Sequence, residues 1–275
     1  MKIQIIDTGY FLADGGAMFG AIPKTAWQRR YPCNENNGCI LAMRSLLVET
    51  DDGRIVLIDN GAGDKHLKQL AYYKFFGLKD LGDELQKRGI QKEEVTDLIF
   101  THLHFDHCGY TTRLTDEKRY ILSFPNATHW VSKKQWENAC TPHPLEAGSY
   151  FKENIQPAAD AGLVHLIDET TTIGNSLRLC LFDGHTPGQI VPYINDGRQT
   201  YVFAGDVIPL IASVSPEWIS AYDLDPRHSY HEKIRMLEEA VSERQALIYC
   251  HDAYHPCSTV KKVNDFFVKD QLISL

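Results

Sequence analysis

Four side chains able to ligate a metal fall within six residues at His102-Leu-His104-Phe-Asp106-His107, one residue after the apolar stretch Leu98-Ile99-Phe100. Imidazole suits zinc, iron and similar ions. A carboxylate adds a harder oxygen donor, and a mixed nitrogen and oxygen set leaves coordination positions open to water. The chemistry this set points to is activation of water. In an extended segment His102, His104 and Asp106 would point to one side, and a turn after Phe105 would bring His107 round. That spacing offers two pairs, His102 with His104 and Asp106 with His107, suited to two ions. The competing reading is a solvated His-rich turn, and the rest of the chain weighs against it.

Downstream, three short apolar runs each lead into a turn bearing His or Asp. Leu177 to Phe182 precedes Asp183-Gly-His185-Thr-Pro-Gly188. Thr200 to Phe203 precedes Ala-Gly-Asp206, and Ala246 to Tyr249 precedes Cys-His251-Asp252. Buried strands of this kind deliver side chains to the carboxyl ends of a sheet, where ligands commonly bind in α/β architectures. The candidate ligands are then five His and two Asp.

The ordered set H-x-H-x-D-H, G-H-T-P-G, G-D and a late H-D resembles the metallo-β-lactamase-fold hydrolases. Upstream, Ile55-Val-Leu-Ile-Asp59-Asn-Gly61 is similar to the strand-Asp-x-Gly segment that those proteins place under the metal loop, so the resemblance spans roughly residues 40 to 255. It implies an αββα sandwich, an α/β fold in which two mixed β-sheets pack face to face with helices on both outer faces. It further implies two divalent ions, zinc foremost, although the ligands suit Mn, Fe or Co comparably. One ion would be held by His102, His104 and His185 and the other by Asp106, His107 and His251, with Asp206 bridging them. Asp59 would orient a ligand by hydrogen bonding, a recurrent need of metal-bound His; a turn-forming Asp before Gly is its alternative.

The H-T-P-G turn and the bridging Asp look closest to N-acyl-homoserine lactone lactonases and methyl-parathion-hydrolase-like proteins. Zinc β-lactamases proper use a Cys ligand in place of the bridging Asp. Cys108 matches no ligand position and reads as a small buried neighbour of His107. One departure matters: the lactonases carry a Tyr three residues after the bridging Asp, whereas this chain reads Asp206-Val-Ile-Pro209. Tyr222 is the candidate substitute, with packing as its alternative. In the mechanism that the resemblance implies, hydroxide shared by the two ions attacks the substrate. Asp106 accepts its proton and passes it to the leaving oxygen. His255 could approach from the turn after His251.

The leading expectation is therefore hydrolysis of a lactone or other carboxylic ester of a small, partly apolar molecule. A phosphotriester or phosphodiester hydrolase using the same water is the runner-up, and a non-catalytic metal-binding protein represents a different class. Thioester hydrolysis is disfavoured by the lack of an Arg/Lys-rich C-terminal region, and di-iron redox chemistry by the lack of a flavin-binding domain.

Length and composition agree with this reading. A chain of 275 residues with 43% hydrophobic content can bury a substantial core, and residues 1–275 read as one domain. Seven scattered Cys without C-x-x-C pairs suggest reduced thiols. Met1-Lys-Ile-Gln-Ile-Ile-Asp7 is too short an apolar stretch for a signal peptide, and no run approaches membrane-spanning length, so a cytoplasmic location is expected. The net charge of −8 argues against an extended nucleic-acid surface.

The elements that must position these residues read as strands at 2–8, 43–50, 54–59, 97–101, 163–167, 177–183, 190–195, 199–204 and 246–250. Helices are predicted at 64–76, 80–89, 227–243 and 257–271, with Asp51-Asp-Gly53 and Asn195-Asp-Gly197 as turns. Residues 10–38 and 208–225 are long connections rich in aromatics. They would wall a substrate pocket, cover the partner in a homodimer, or simply pack.

Overall fold

Runs of Val, Ile and Leu make the strands of this protein, and the computed structural model describes all of residues 1–275. The chain folds as two compact units, one formed by Met1–Tyr10 and Met43–Glu169 and the other by Phe11–Ala42 and Thr170–Leu275. It passes between them three times, the first two inside the long strands Lys2–Asp14 and Gly38–Glu49, which outrun the predicted 2–8 and 43–50.

Those two strands begin a six-stranded sheet that continues in the order Ile55–Ile58, Asp97–Ile99, Thr128–Ser132 and Val164–Ile167. Ile55–Ile58, Asp97–Ile99 and the two strands beyond them run parallel, and the first three are buried along most of their length. Parallel strands covered on both faces show continuous apolar runs rather than alternation. Ile6, Leu47, Leu57, Leu98, Phe100 and Val131 lie in one core cluster with Leu103 and Cys108 of the loop that follows Asp97–Ile99.

The second unit holds a seven-stranded sheet in the order Phe266–Leu272, Cys257–Val263, Ala246–Ile248, Thr200–Phe203, Gln189–Asn195, Leu177–Phe182 and Thr171–Ile173. Only the pair Thr200–Phe203 and Ala246–Ile248 is parallel; the helix Pro226–Ser242 lies between these strands in sequence, as a parallel crossover requires. Asp225 caps that helix by accepting from His228 N–H at 2.9 Å, and Pro226 stands in its first turn. Met236, Leu237 and Ala240 face the core, with Val241 partly buried against it.

Two predicted helices are absent. Residues 257–271 form a β-hairpin whose turn residues Asn264 and Asp265 both have positive φ, 47° and 66°. A two-residue turn of that hand matches strand twist, and β-branched and aromatic residues on either side favour the ladder over a helix. Residues 64–76 make turns and a short 3₁₀ segment at Ala71–Tyr73. Conversely, the helices Lys133–Cys140 and Lys152–Asp160 arise where no periodicity signalled them. All seven cysteines are free thiols, and no helix is long and apolar enough to cross a membrane.

One core residue sets a pH limit. His129 is fully buried, its Nδ1–H donates to Ala127 O at 2.8 Å, and burial pulls its pKa from 6.5 down to about 4. Between those values the unfolded chain binds the proton and the folded chain does not. Stability is therefore fully present above about pH 6.5 and falls as pH drops toward 4, by up to about 3 kcal/mol. Urea midpoints measured from pH 7 to 4 are expected to fall less in His129→Leu than in the unaltered protein; parallel curves would show that another group sets the slope.

Candidate metal centre

In the first unit the strand Asp97–Ile99 ends just before Thr101, and the chain stays extended through His104 (φ −67°, ψ 154°). There it turns, one residue earlier than predicted. Phe105–Cys108 is a single helical turn with Asp106 in it, and the N–H groups of His107 and Cys108 both donate to His104 O at 3.1 Å. His102 and His104 are therefore delivered by extended backbone and Asp106 and His107 by a helical turn. The rings of His102 and His104 lie 4.4 Å apart and those of His102 and His107 4.0 Å apart, while Asp106 Oδ2 is 3.7 Å from His107 Nε2.

This loop is pinned from below. Asp59 Oδ2 accepts from Thr101 Oγ1 at 2.7 Å and pairs with His107 Nδ1 at 2.7 Å, and its Oδ1 accepts from Thr101 N–H at 2.8 Å. Asp59 has φ of 54°, a left-handed conformation that Asp and Asn tolerate better than most residues. Burial pushes its carboxyl above the ordinary range, against the pull of His107 and Thr101. Asn60 accepts from Tyr110 N–H and donates to Thr111 Oγ1, and Lys65 donates to the carbonyls of Gly109 and Thr112. Gly109 is obligatory here, since a Cβ would lie 2.1 Å from Ala62 O. Cys108 donates its thiol to Leu103 O at 3.3 Å, and burial pushes it up to about 12, which fits the small buried neighbour expected from sequence.

The second unit gathers the remaining donors on three strand ends. His185 follows Leu177–Phe182, Asp206 sits in the 3₁₀ turn Gly205–Val207 after Thr200–Phe203, and His251 follows Ala246–Ile248. Asp206 reaches both imidazoles: its Oδ2 is 3.4 Å from His185 Nε2 and its Oδ1 is 3.2 Å from His251 Nε2. Asp223 Oδ1 holds His185 Nδ1 at 3.0 Å, and Ala42 O holds His251 Nδ1 at 2.8 Å. Burial disfavours charge on His251, but Cys250 and Asp206 outweigh it and keep its pKa well above the usual value. Cys250 Sγ donates to Asp206 Oδ1 at 3.2 Å, and donor atoms of Asp206, Cys250 and His251 all lie within 4.8 Å of one another.

Each unit thus brings together its own share of the predicted ligands, four in the first and three in the second. The residues that sequence reasoning missed are Thr101, Asp223, Cys250 and Glu146, whose Oε2 lies 3.0 Å from His104 Nε2. None had a spacing signal, although Asp223 sits beside Tyr222 in a segment already suspected. Tyr222 is 43% exposed, and its N–H donates to Ser220 Oγ. His255 is half-buried, with its N–H donating to Asp252 Oδ1. The aromatics of the two long connections pack on one another: Phe19 stacks on Trp27 at 5.0 Å and meets Trp218 edge-on at 5.7 Å, and Phe11 approaches the His251 ring at 5.8 Å.

Residues 44–250 match the Metallo-beta-lactamase superfamily. The chain belongs to this superfamily. Such membership accounts for mixed sheets with helices. Among curated relatives of this superfamily member, N-acyl homoserine lactonase AttM of Rhizobium johnstonii is 35% identical over 79 residues, 28% of this chain and 26% of that protein. AttM of Agrobacterium fabrum is 33% identical, likewise over 79 residues, 28% of this chain and 26% of that protein. These matches cover about a quarter of each relative's length. Among solved structures, a probable metal-dependent hydrolase from Staphylococcus aureus is 25% identical with a TM-score of 0.87, covering 99% of this chain and 98% of that one. AidC, a dizinc quorum-quenching lactonase solved with the product N-hexnoyl-L-homoserine, is 19% identical with a TM-score of 0.79, over 99% and 95% of the two chains, and shares the fold. The expected likeness to lactonases of the metallo-β-lactamase fold is met.

Proposed function

We propose that this protein is a dinuclear metal-dependent hydrolase acting on a lactone or other carboxylic ester of a small, partly apolar molecule. In this reading His102, His104 and His185 hold one divalent ion, Asp106, His107 and His251 hold the second, and Asp206 bridges them. The observation that carries it is the bracing of the imidazoles: Asp59 on His107, Glu146 on His104, Asp223 on His185 and Ala42 O on His251 each engage one ring nitrogen, and on His107, His185 and His251 the opposite nitrogen faces a carboxylate of the proposed donor set. Metal-bound His is characteristically held this way, and a nitrogen and oxygen donor set of this composition fits zinc or a similar borderline ion.

Two bound ions would supply a water of lowered pKa and polarise the substrate's carbonyl oxygen. The chain's own groups do the rest. Asp106, at the rim of the helical turn, takes the water's proton and returns it to the leaving oxygen. Tyr222, one residue before the Asp that braces His185, donates its hydroxyl to the developing charge in place of the Tyr that Pro209 displaces.

Turnover of a panel of lactones, aryl esters and phosphotriesters by the metal-assayed protein tests this reading. Chelation is expected to abolish lactone or ester turnover and added zinc, manganese or cobalt to restore it. Tyr222→Phe should lower that turnover about 100-fold, the typical cost of losing one donor to a transition-state oxygen. Turnover confined to phosphotriesters would replace the ester reading with the phosphoester one. Inactivity at two metals per chain would favour a metal-binding protein without catalysis.

A further inference from the structure

Glu146 is a carboxylate turned inward from an exposed stretch: its own exposure is 6%, whereas its neighbour Leu145 is 82% exposed. A buried carboxylate is costly unless donors surround it. Here Asn138 Nδ2 donates to Oε1 at 2.7 Å, and Oε2 receives His104 Nε2 at 3.0 Å and lies 3.0 Å from Tyr150 OH. The same hydroxyl lies 2.9 Å from Gln135 Oε1, which accepts Leu103 N–H at 3.3 Å. The Tyr150 ring also meets the His104 ring edge-on at 4.9 Å.

We infer that Glu146 is a positioning residue of the metal centre, fixing the tautomer and orientation of His104 by accepting its Nε2–H, while the Tyr150 ring packs edge-on against the same imidazole and its hydroxyl has one proton for either Glu146 Oε2 or Gln135 Oε1. The inference rests on the dinuclear reading. Its physical basis is that a ring nitrogen donating to a carboxylate makes the opposite nitrogen a more basic and better-aimed ligand. Asn138 and Tyr150 alone could satisfy a buried carboxylate. Placing it on His104 adds a function to the segment around residue 146 that no local sequence pattern announces. Three of the His ligands then carry a carboxylate each, from Asp59, Glu146 and Asp223.

The test is cobalt(II) affinity, measured by chelator competition and by the visible d–d spectrum, in the unaltered protein, Glu146→Ala, Glu146→Gln and Tyr150→Phe. Glu146→Ala is expected to weaken cobalt binding about 10- to 100-fold and to alter the spectrum. Glu146→Gln, which keeps an acceptor for His104, should recover part of the loss, and Tyr150→Phe should show a smaller one. Thermal unfolding of the metal-free proteins checks that each variant folds, and Tyr150→Phe carries the test should Glu146→Ala fail to fold. Equal affinities and identical spectra in all folded variants would overturn this inference alone. Absence of cobalt uptake by the unaltered protein would overturn the dinuclear reading and this inference with it.

Discussion

On the proposed dinuclear reading, Asp206→Ala is expected to lower hydrolysis on the order of 1,000-fold and to bind fewer than two ions per chain, while leaving the sheets folded. Asp206 holds both candidate-ligand imidazoles of its unit, through Oδ2 to His185 and Oδ1 to His251. Asp223 meets His185 on the opposite ring nitrogen, Nδ1, at 3.0 Å. Truncation therefore removes a shared oxygen donor and leaves two separate imidazole sites. The backbone at this position survives independently of the side chain. It lies in a short 3₁₀ turn, and the buried Gln189 amide, with its oxygen turned toward that turn, accepts from the N–H groups of Asp206 at 3.0 Å and Val207 at 3.3 Å. His102→Ala should lose activity to a similar degree with the fold equally intact. Metal content by elemental analysis and circular dichroism of the same samples separate these effects. Full metal content in Asp206→Ala would remove it from the bridging role.

The contrast between Asp206 and Glu146 shows what was legible in the sequence. The candidate loop could be read because His102, His104, Asp106 and His107 are packed into six consecutive residues behind an apolar strand, and His185, Asp206 and His251 could be singled out because each follows a short apolar run. Glu146 and Asp223 could not, since the chain has 36 acidic residues and nothing in local spacing distinguishes the two that fold back onto imidazoles. Asp59 was reachable only through its place after Ile55–Ile58. The same logic governs the elements. Buried parallel strands announce themselves as continuous apolar runs. The C-terminal segment carries enough apolar residues to mimic a helix, and only the left-handed turn at Asn264 and Asp265, an Asn-Asp pair between β-branched and aromatic runs, marks it as a hairpin. The turn that sets Asp106 one residue earlier than expected follows from backbone bonds to His104 O, which side-chain patterning does not encode.

Gly184→Ala is the substitution expected to do most damage without touching a donor atom. A Cβ there would lie 2.5 Å from both N and Cα of Ser229 and 2.4 Å from its Oγ. Contacts that close to backbone cannot be relieved by rotating a side chain, so the first turn of Pro226–Ser242 must move. The helix is tied to the same place: Glu232 in its second turn accepts from the N–H groups of Asp183 and Gly184 at 2.8 and 2.9 Å, and Asp225 N–H, at its cap, donates to Gly184 O at 2.9 Å. Overpacking of this kind, with strain on charge-assisted hydrogen bonds, is expected to cost about 3 kcal/mol in the urea unfolding free energy. The loss should extend to the metal, because Asp223, which holds His185, stands three residues before Pro226 and shifts with the helix start. Gly148→Ala provides the comparison: its Cβ would meet nothing within 4 Å, and its stability should stay within about 0.5 kcal/mol of the unaltered protein. If Gly184→Ala matched Gly148→Ala in both unfolding and metal content, the helix would be free to yield there, and the placement of His185 would have to rest on Asp223 alone.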